Sequence, residues 1–212
     1  MPLLPDNWPD WINVSRETQE RLELFVTLLQ KWNTHINLVS LGDMQKLWER
    51  HILDSLQIAP FLQGQESFID MGSGGGFPGV VLGLVTGIPG VLIESHQKKV
   101  AFLREVIRQT EANLTVICDR LEKVNEKSNE KTHKRSAPIV TARALAPLKI
   151  LLDWAFPFLT PQSTCLFLKG QQVEEEIKEA QHYWRMELEL IPSRISSEGT
   201  LLRVSHLSRA TF

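Results

Sequence analysis

The residues best equipped to do chemistry in this chain lie in one run, Phe68-Ile69-Asp70-Met71-Gly72-Ser73-Gly74-Gly75-Gly76-Phe77-Pro78-Gly79. Apolar residues at 68, 69 and 71 read as a short buried strand, the glycines let the backbone turn tightly and approach a ligand, and Pro78 is placed to open a helix. Strand, glycine loop and helix N-terminus in that order make a nucleotide-cofactor site. Gly74 to Gly79 satisfies G-x-G-x-x-G, and Glu94 ends the next strand, where an acid can bind ribose hydroxyls in either of two cofactor classes. The glycines alone leave a dinucleotide and a methyl donor both open. Three details favour S-adenosylmethionine. Asp70 stands two residues before Gly72, where it can accept from a methionine ammonium or position the loop but would repel a pyrophosphate. A long helical stretch precedes the loop, and no second nucleotide-binding half follows it.

Other candidates surround this run. Arg143 ends the fourth strand-like segment, beside the cleft in this topology, and could hold a base oxygen, a phosphate or a cofactor carboxylate, or clamp Asp70 or the loop. His51, Asp54 and Ser55 stand at i, i+3 and i+4, hence on one helix face, to contact RNA, line the pocket mouth or tie the N-terminal helices to the sheet. One imidazole and one carboxylate do not make a metal site, so no metal is expected. Trp32 reads as core.

The elements that must position these residues follow from periodicity. Residues 15–37 read as an amphipathic helix capped by Ser15, with Leu22, Phe25, Leu29, Trp32 and Ile36 recurring at three- and four-residue steps. Asp43 is expected to cap a second helix that Pro60 and Gly64 end. Strand-like runs follow at 67–71, 91–95, 114–118, 138–142, 164–169, 186–191 and 201–207, with helical patterns at 78–86, 97–110, 119–125, 147–157 and 172–183. This alternation predicts a mainly parallel sheet covered on both faces and closed by an antiparallel hairpin. That is the Rossmann-like, seven-stranded α/β layout of class I methyltransferases, here with an N-terminal helical extension over 1–64 and the methyltransferase domain over 65–212, one compact unit overall. The polar, basic stretch 125–137 is expected to be a mobile loop.

Composition bounds the function class. A chain of 212 residues with 42% hydrophobic and 23% charged residues suits one domain with a modest appendage. A net charge of −2 excludes a uniformly basic nucleic-acid binder, so any RNA surface must be local. Lys98, Lys99, Arg104 and Arg108 form one basic cluster, and Lys123, Lys127, Lys131, Lys134 and Arg135 a second. No apolar run approaches the ~20 residues of a membrane helix, and the first residues lack a signal-peptide pattern. A cytoplasmic enzyme acting as a monomer is expected, with Cys118 and Cys165 as reduced core cysteines.

With DMGSGGGFPG, ESHQKKVAFLREV and VTARALAPL in this order, the chain resembles the bacterial 16S rRNA 7-methylguanosine methyltransferase family, RsmG or glucose-inhibited division protein B (GidB). Trp32-Asn33 with Asn37-Leu38, His51-Ile52-Leu53-Asp54-Ser55-Leu56, and Lys169-Gly170 before Glu174-Glu175-Glu176 are similar to further motifs of that family, so the resemblance runs from about Leu22 to Ile177. It implies methyl transfer from S-adenosylmethionine to N7 of a guanine in the decoding region of 16S ribosomal RNA, free or in a small-subunit assembly particle. By position it implies cofactor contacts at Gly72, Phe77, Leu121, Glu122 and Arg143. With the residue-level reading, the expected cofactor set is Asp70, Gly72, Gly74, Gly76, Phe77, Glu94, Ser95, Leu121, Glu122 and Arg143, and the expected RNA set is His51, Lys98, Lys99 and Lys169. Guanine N7 has its own in-plane lone pair, so no general base is expected, and Arg143 is the one candidate for a direct catalytic part.

Overall fold

The computed structural model describes residue 8 and residues 11–128 and 136–210. Residues 129–135 of the basic stretch lie outside them, and with them Lys131, Lys134 and Arg135. Seven strands form one sheet in the order β3-β2-β1-β4-β5-β7-β6, from β1 (Phe68–Met71), β2 (Gly90–Glu94), β3 (Leu114–Cys118), β4 (Ile139–Arg143), β5 (Thr164–Lys169), β6 (Trp184–Pro192) and β7 (Thr200–Arg209). The first five are parallel. β7 pairs antiparallel with both β5 and β6, so the expected hairpin forms one side of the sheet.

The interiors of β1, β2, β4 and β5 are near-continuous buried runs because both faces are covered, whereas β6 alternates buried and exposed residues at the sheet's edge. Alternate residues point to opposite layers. Phe68 and Leu92 join the core that includes α1 (Arg16–Asn33), α4 (Gly79–Thr86) and α5 (Gln97–Thr110). Ile69 and Ile93 join the core under α6 (Leu121–Ser128), α7 (Leu148–Ala155) and α8 (Val173–Gln181). Phe25 of α1 sits 5.3 Å from the Phe77 ring and 6.4 Å from Phe102, so the N-terminal helix shares the core of the sheet's helical layer. Trp32 is half-buried, 5.9 Å from Phe102.

Four expectations change. The stretch expected to be a loop from 125 opens as helix, because α6 continues to Ser128. α1 stops at Asn33, four residues short of the periodic stretch, because Asn33 turns back on the chain: its Oδ1 accepts from the N–H of Leu38 and Val39 at 2.8 and 3.0 Å. The second helix is not one element. A short α2 (Leu41–Gln45), a π-helical turn over Trp48–Leu53, α3 (Asp54–Leu56) and a 3₁₀ turn over Ala59–Leu62 replace it. Its cap is Ser40, not Asp43: Ser40 Oγ accepts from the Asp43 N–H at 3.1 Å and donates to the Asp43 carboxylate at 2.7 Å, a reciprocal cap. Cys165 is buried as expected, but Cys118 is exposed, since β3 is an edge strand and position 118 is its last residue.

Candidate functional site

The glycine loop leaves β1 and turns into α4 at the C-terminal edge of the sheet, where open α/β sheets bind their ligands. Gly72 has φ +66°, and an added Cβ would lie 2.4 Å from Leu145, so the position admits neither a side chain nor an ordinary backbone. The loop is fastened by two acids. Asp70 is fully buried, accepts from the Thr141 hydroxyl at 2.8 Å and takes the Gly79 N–H, the first of α4, at 3.3 Å. Gly79 permits this because its missing Cβ would stand 2.5 Å from that carboxylate oxygen. Glu94 receives the Gly74 N–H at 2.9 Å and the His96 N–H at 2.7 Å on its two oxygens. Burial raises the Asp70 carboxyl to about 6.

Around this loop lies a cavity of about 580 Å³, the size of a small-molecule cofactor site. Gly72, Gly74, Phe77, Glu94 and Ser95 line one side of it, and Leu121, Glu122 and Arg143 another, with His51 and Lys99 at its margin. Ten expected residues therefore share one cavity. Four do not. Asp70 is buried behind the loop as a brace and makes no wall of the cavity, which favours its loop-positioning role over an ammonium contact. Gly76 also faces inward, where a Cβ would meet Val80 at 2.8 Å. Lys98 lines a separate groove between α1 and α5. Lys169 is no free phosphate contact: its ammonium is 2.5 Å from Glu176 and donates to the Ala146 carbonyl at 3.0 Å.

Arg143 has every nitrogen engaged by the N-terminal segment rather than by Asp70. Its Nε lies 3.2 Å from Asp54, Nη1 donates to His51 Nδ1 at 2.9 Å, and Nη2 donates to the Arg50 carbonyl. A guanidinium has no acceptor, so His51 Nδ1 must accept and the neutral ring carries its proton on Nε2. Burial, then the Arg143 charge, lower the His51 pKa to about 4, so the ring is neutral near pH 7. Its ring lies 4.7 Å from that of Phe77, tilted by 44°, and Nε2 has no hydrogen-bond partner among the described residues. The π-helical turn is thus tied to β4, as the tethering reading of His51 and Asp54 expected, while His51 still faces the cavity.

Leu38, Val39, Asp43 and Leu145 also line the cavity and were not anticipated. The Asn33 side chain, inside the W-N motif, and the Asn37-Leu38 pair are the local signals for the first two. No group of three or more potential metal ligands occurs among the described residues, and none of their helices is long and apolar enough to cross a membrane.

The carboxylates lining the cavity, Glu94, Glu122 and Asp43, are acceptors that fit a cofactor with hydroxyls and a positive charge. The cavity does not fit a pyrophosphate, because the Gly74 amide, which faces the cavity where a phosphate would lie, already donates to the Glu94 carboxylate. The solved structures that resemble this fold include an O-methyltransferase of Bacillus cereus in complex with SAH (TM-score 0.56, 13% identity, covering 92% of this chain and 93% of that one). The SAH-bound methyltransferase of Podospora anserina is similar at TM-score 0.57 and 10% identity, over 94% and 99% of the two chains. At such identities the likeness is one of fold, that of class I methyltransferases.

Sequence relatives carry the comparison further. The ribosomal RNA small subunit methyltransferase G of Gluconobacter oxydans is 50% identical over 196 residues, 92% of this chain and 97% of its own length. That of Granulibacter bethesdensis is 45% identical over 202 residues, 95% and 91% of the two chains. The sequence profile of the rRNA small subunit methyltransferase G family, GidB, matches residues 18–199, and this chain belongs to that family.

Proposed function

We propose that this protein transfers a methyl group from S-adenosylmethionine to N7 of a guanine in the decoding region of 16S ribosomal RNA. The observation that carries the choice of cofactor is the carboxylate grip on the loop: Glu94 stands in the cavity and occupies the Gly74 amide, so negative phosphate is disfavoured where a methyl donor has none. When bound, S-adenosylmethionine supplies an electrophilic methyl group on a positive sulfur. On the protein side, Gly72, Gly74 and Phe77 bound the site on the loop. Glu94 keeps spare lone pairs for ribose hydroxyls, with Ser95 beside it. Leu121 offers an apolar wall for an adenine, and Glu122 an acceptor for its amino group. Asp70 and Gly76 serve indirectly by holding the loop.

Guanine N7 needs no proton removed before it attacks. A neutral His51 and a fully engaged Arg143 suit chemistry of alignment and water exclusion rather than of a general base. Arg143 is then a positioning residue. RNA approaches across Lys98 and Lys99 as a local basic face. The protein works in the cytoplasm as a monomer, with 1–64 as a helical extension and 65–212 as the methyltransferase domain.

The test is mass mapping of 7-methylguanine in small-subunit RNA incubated with the purified protein and methyl donor. A single new methylated guanine in the 16S decoding region is expected, and label confined to a small metabolite would overturn the reading. Calorimetry checks the site. Gly74→Asp, which sets a second carboxylate against Glu94 at a φ of +54°, is expected to abolish binding of S-adenosylmethionine. Unchanged affinity, or binding of NAD in its place, would mean that the cofactor lies elsewhere or is another.

A further inference from the structure

A groove of about 550 Å³ runs between α1 and α5 and shares no lining residue with the cofactor cavity. Trp32 and Ile36, both half-buried, and the exposed Ala101 give it an apolar floor. Trp32 leans on the core through Phe102, 5.9 Å away, so its indole is held in place while part of it stays open to the groove. The groove adjoins the cofactor cavity along two segments. Lys98 lines the groove, and Lys99, the next residue, lines the cavity. His35 and Ile36 line the groove, and Leu38 and Val39 just after them line the cavity.

The charge on this groove is positive. Lys31 and Lys98 line it, are exposed, and have no ion pair among the described residues. Glu105, the acid among its lining residues, is already spent: its carboxylate takes Arg108 Nε and Nη2 at 2.9 and 2.8 Å and the Gln109 amide as well. His35 adds a polar edge with a fixed tautomer. The Thr34 hydroxyl gives its proton to the Lys31 carbonyl at 2.7 Å, so toward His35 Nδ1, also 2.7 Å away, it can only accept. In the neutral ring Nε2 is then an acceptor, suited to a ribose 2′-hydroxyl.

An aromatic floor with unpaired cations at its rim is how proteins hold single-stranded nucleic acid, the ring taking a base and the cations its phosphates. Building on the methyl-transfer reading above, we propose that the α1–α5 groove docks an unpaired nucleotide that lies near the target guanine in the RNA strand, with its base on Trp32 and its phosphates on Lys31 and Lys98. An acidic peptide would use the cations alone, whereas a nucleotide uses the indole and the His35 acceptor too. The N-terminal helix is thereby part of the substrate surface, while the chemistry stays in the cofactor cavity.

Ala101 supplies the first test, because it is exposed on α5 and has no part in the cofactor cavity. Ala101→Glu fills the groove with a carboxylate. It is expected to leave the unfolding temperature and S-adenosylmethionine binding unchanged, and to lower affinity for a labelled single-stranded 16S fragment about tenfold in fluorescence anisotropy. Lys31→Gln removes one phosphate contact and should flatten the slope of log affinity against log salt by about 0.7. Trp32→Leu keeps apolar bulk but loses the ring, and should lower affinity about fivefold or more with the salt slope unchanged. A purely structural role for these residues would not separate a stacking loss from a charge loss in this way. Wild-type affinity in Ala101→Glu or Trp32→Leu, or the wild-type salt slope in Lys31→Gln, overturns the proposal. So does an Ala101→Glu variant that binds free RNA normally yet methylates small-subunit particles poorly, since the occupant would then be a ribosomal protein. If the wild-type protein binds the fragment but methylates no rRNA, the methyl-transfer reading fails by itself and anisotropy still decides the groove. A wild-type protein that binds no RNA overturns the groove as well.

Discussion

Arg143 joins β4 to a segment ninety residues earlier in the chain through Asp54, His51 and the Arg50 carbonyl. Arg143→Ala would leave a largely buried Asp54 carboxylate unpaired and is expected to cost about 2 kcal/mol in urea denaturation. Arg143→Lys should recover only part of that, since one ammonium cannot match a three-nitrogen fork. Two other buried groups oppose each other in pH. The folded chain holds Asp70 protonated up to about pH 6, whereas the unfolded carboxyl releases its proton near 3.8, so this group's contribution to stability falls as pH rises between those values. His51 stays neutral down to about pH 4 in the folded chain while its unfolded pKa is 6.5, so its contribution rises with pH over an overlapping window. Denaturation midpoints of His51→Gln should therefore fall with rising pH across that window relative to wild type, and those of Asp70→Asn should rise more steeply. Midpoints of both variants that track wild type would refute the assignment. The loop glycines were legible in the sequence because their backbone demands are local. The Arg143 partners were not, because only folding brings residues 50–54 beside 143.

At the scale of elements, the strands were readable to within about two residues, the central ones because their apolar runs are buried from both faces and β6 because its apolar and polar residues alternate. The stretch 34–62 was not. Its apolar spacing imitates a helix, yet Asn33 and Ser40 bind backbone groups that a continuous helix would need. Asn33 holds both Leu38 and Val39, which line the cofactor cavity, and its own amide donates to the Val39 carbonyl at 3.1 Å. Asn33→Ala removes these three hydrogen bonds. It is expected to lower stability by about 2 kcal/mol and to weaken S-adenosylmethionine binding, measured by denaturation and calorimetry. Ser40→Ala, which removes a helix cap and the hydroxyl donated to Asp43, should cost about 1 kcal/mol and weaken donor binding less than Asn33→Ala does.

For the whole molecule, the N-terminal helices and the sheet share one contiguous core in which Leu22, Phe25 and Leu29 join Phe77, Val80 and Phe102. One cooperative transition is expected, with circular dichroism and tryptophan fluorescence melting together. Phe25→Ala should shift both by the same amount, about 3 kcal/mol or more. Separate transitions would mean that residues 1–64 fold apart from the rest. The sheet order has a consequence for how such a chain comes into being. β7, the last strand made, inserts between β5 and β6, and β6 touches the sheet only through it. As the chain emerges from the ribosome, the edge of β5 has no β7 to pair with until that strand has cleared the exit tunnel, and β6 joins the sheet only then. Co-translational assembly of this sheet therefore begins at the glycine loop and reaches its hairpin side after the other described strands are in place.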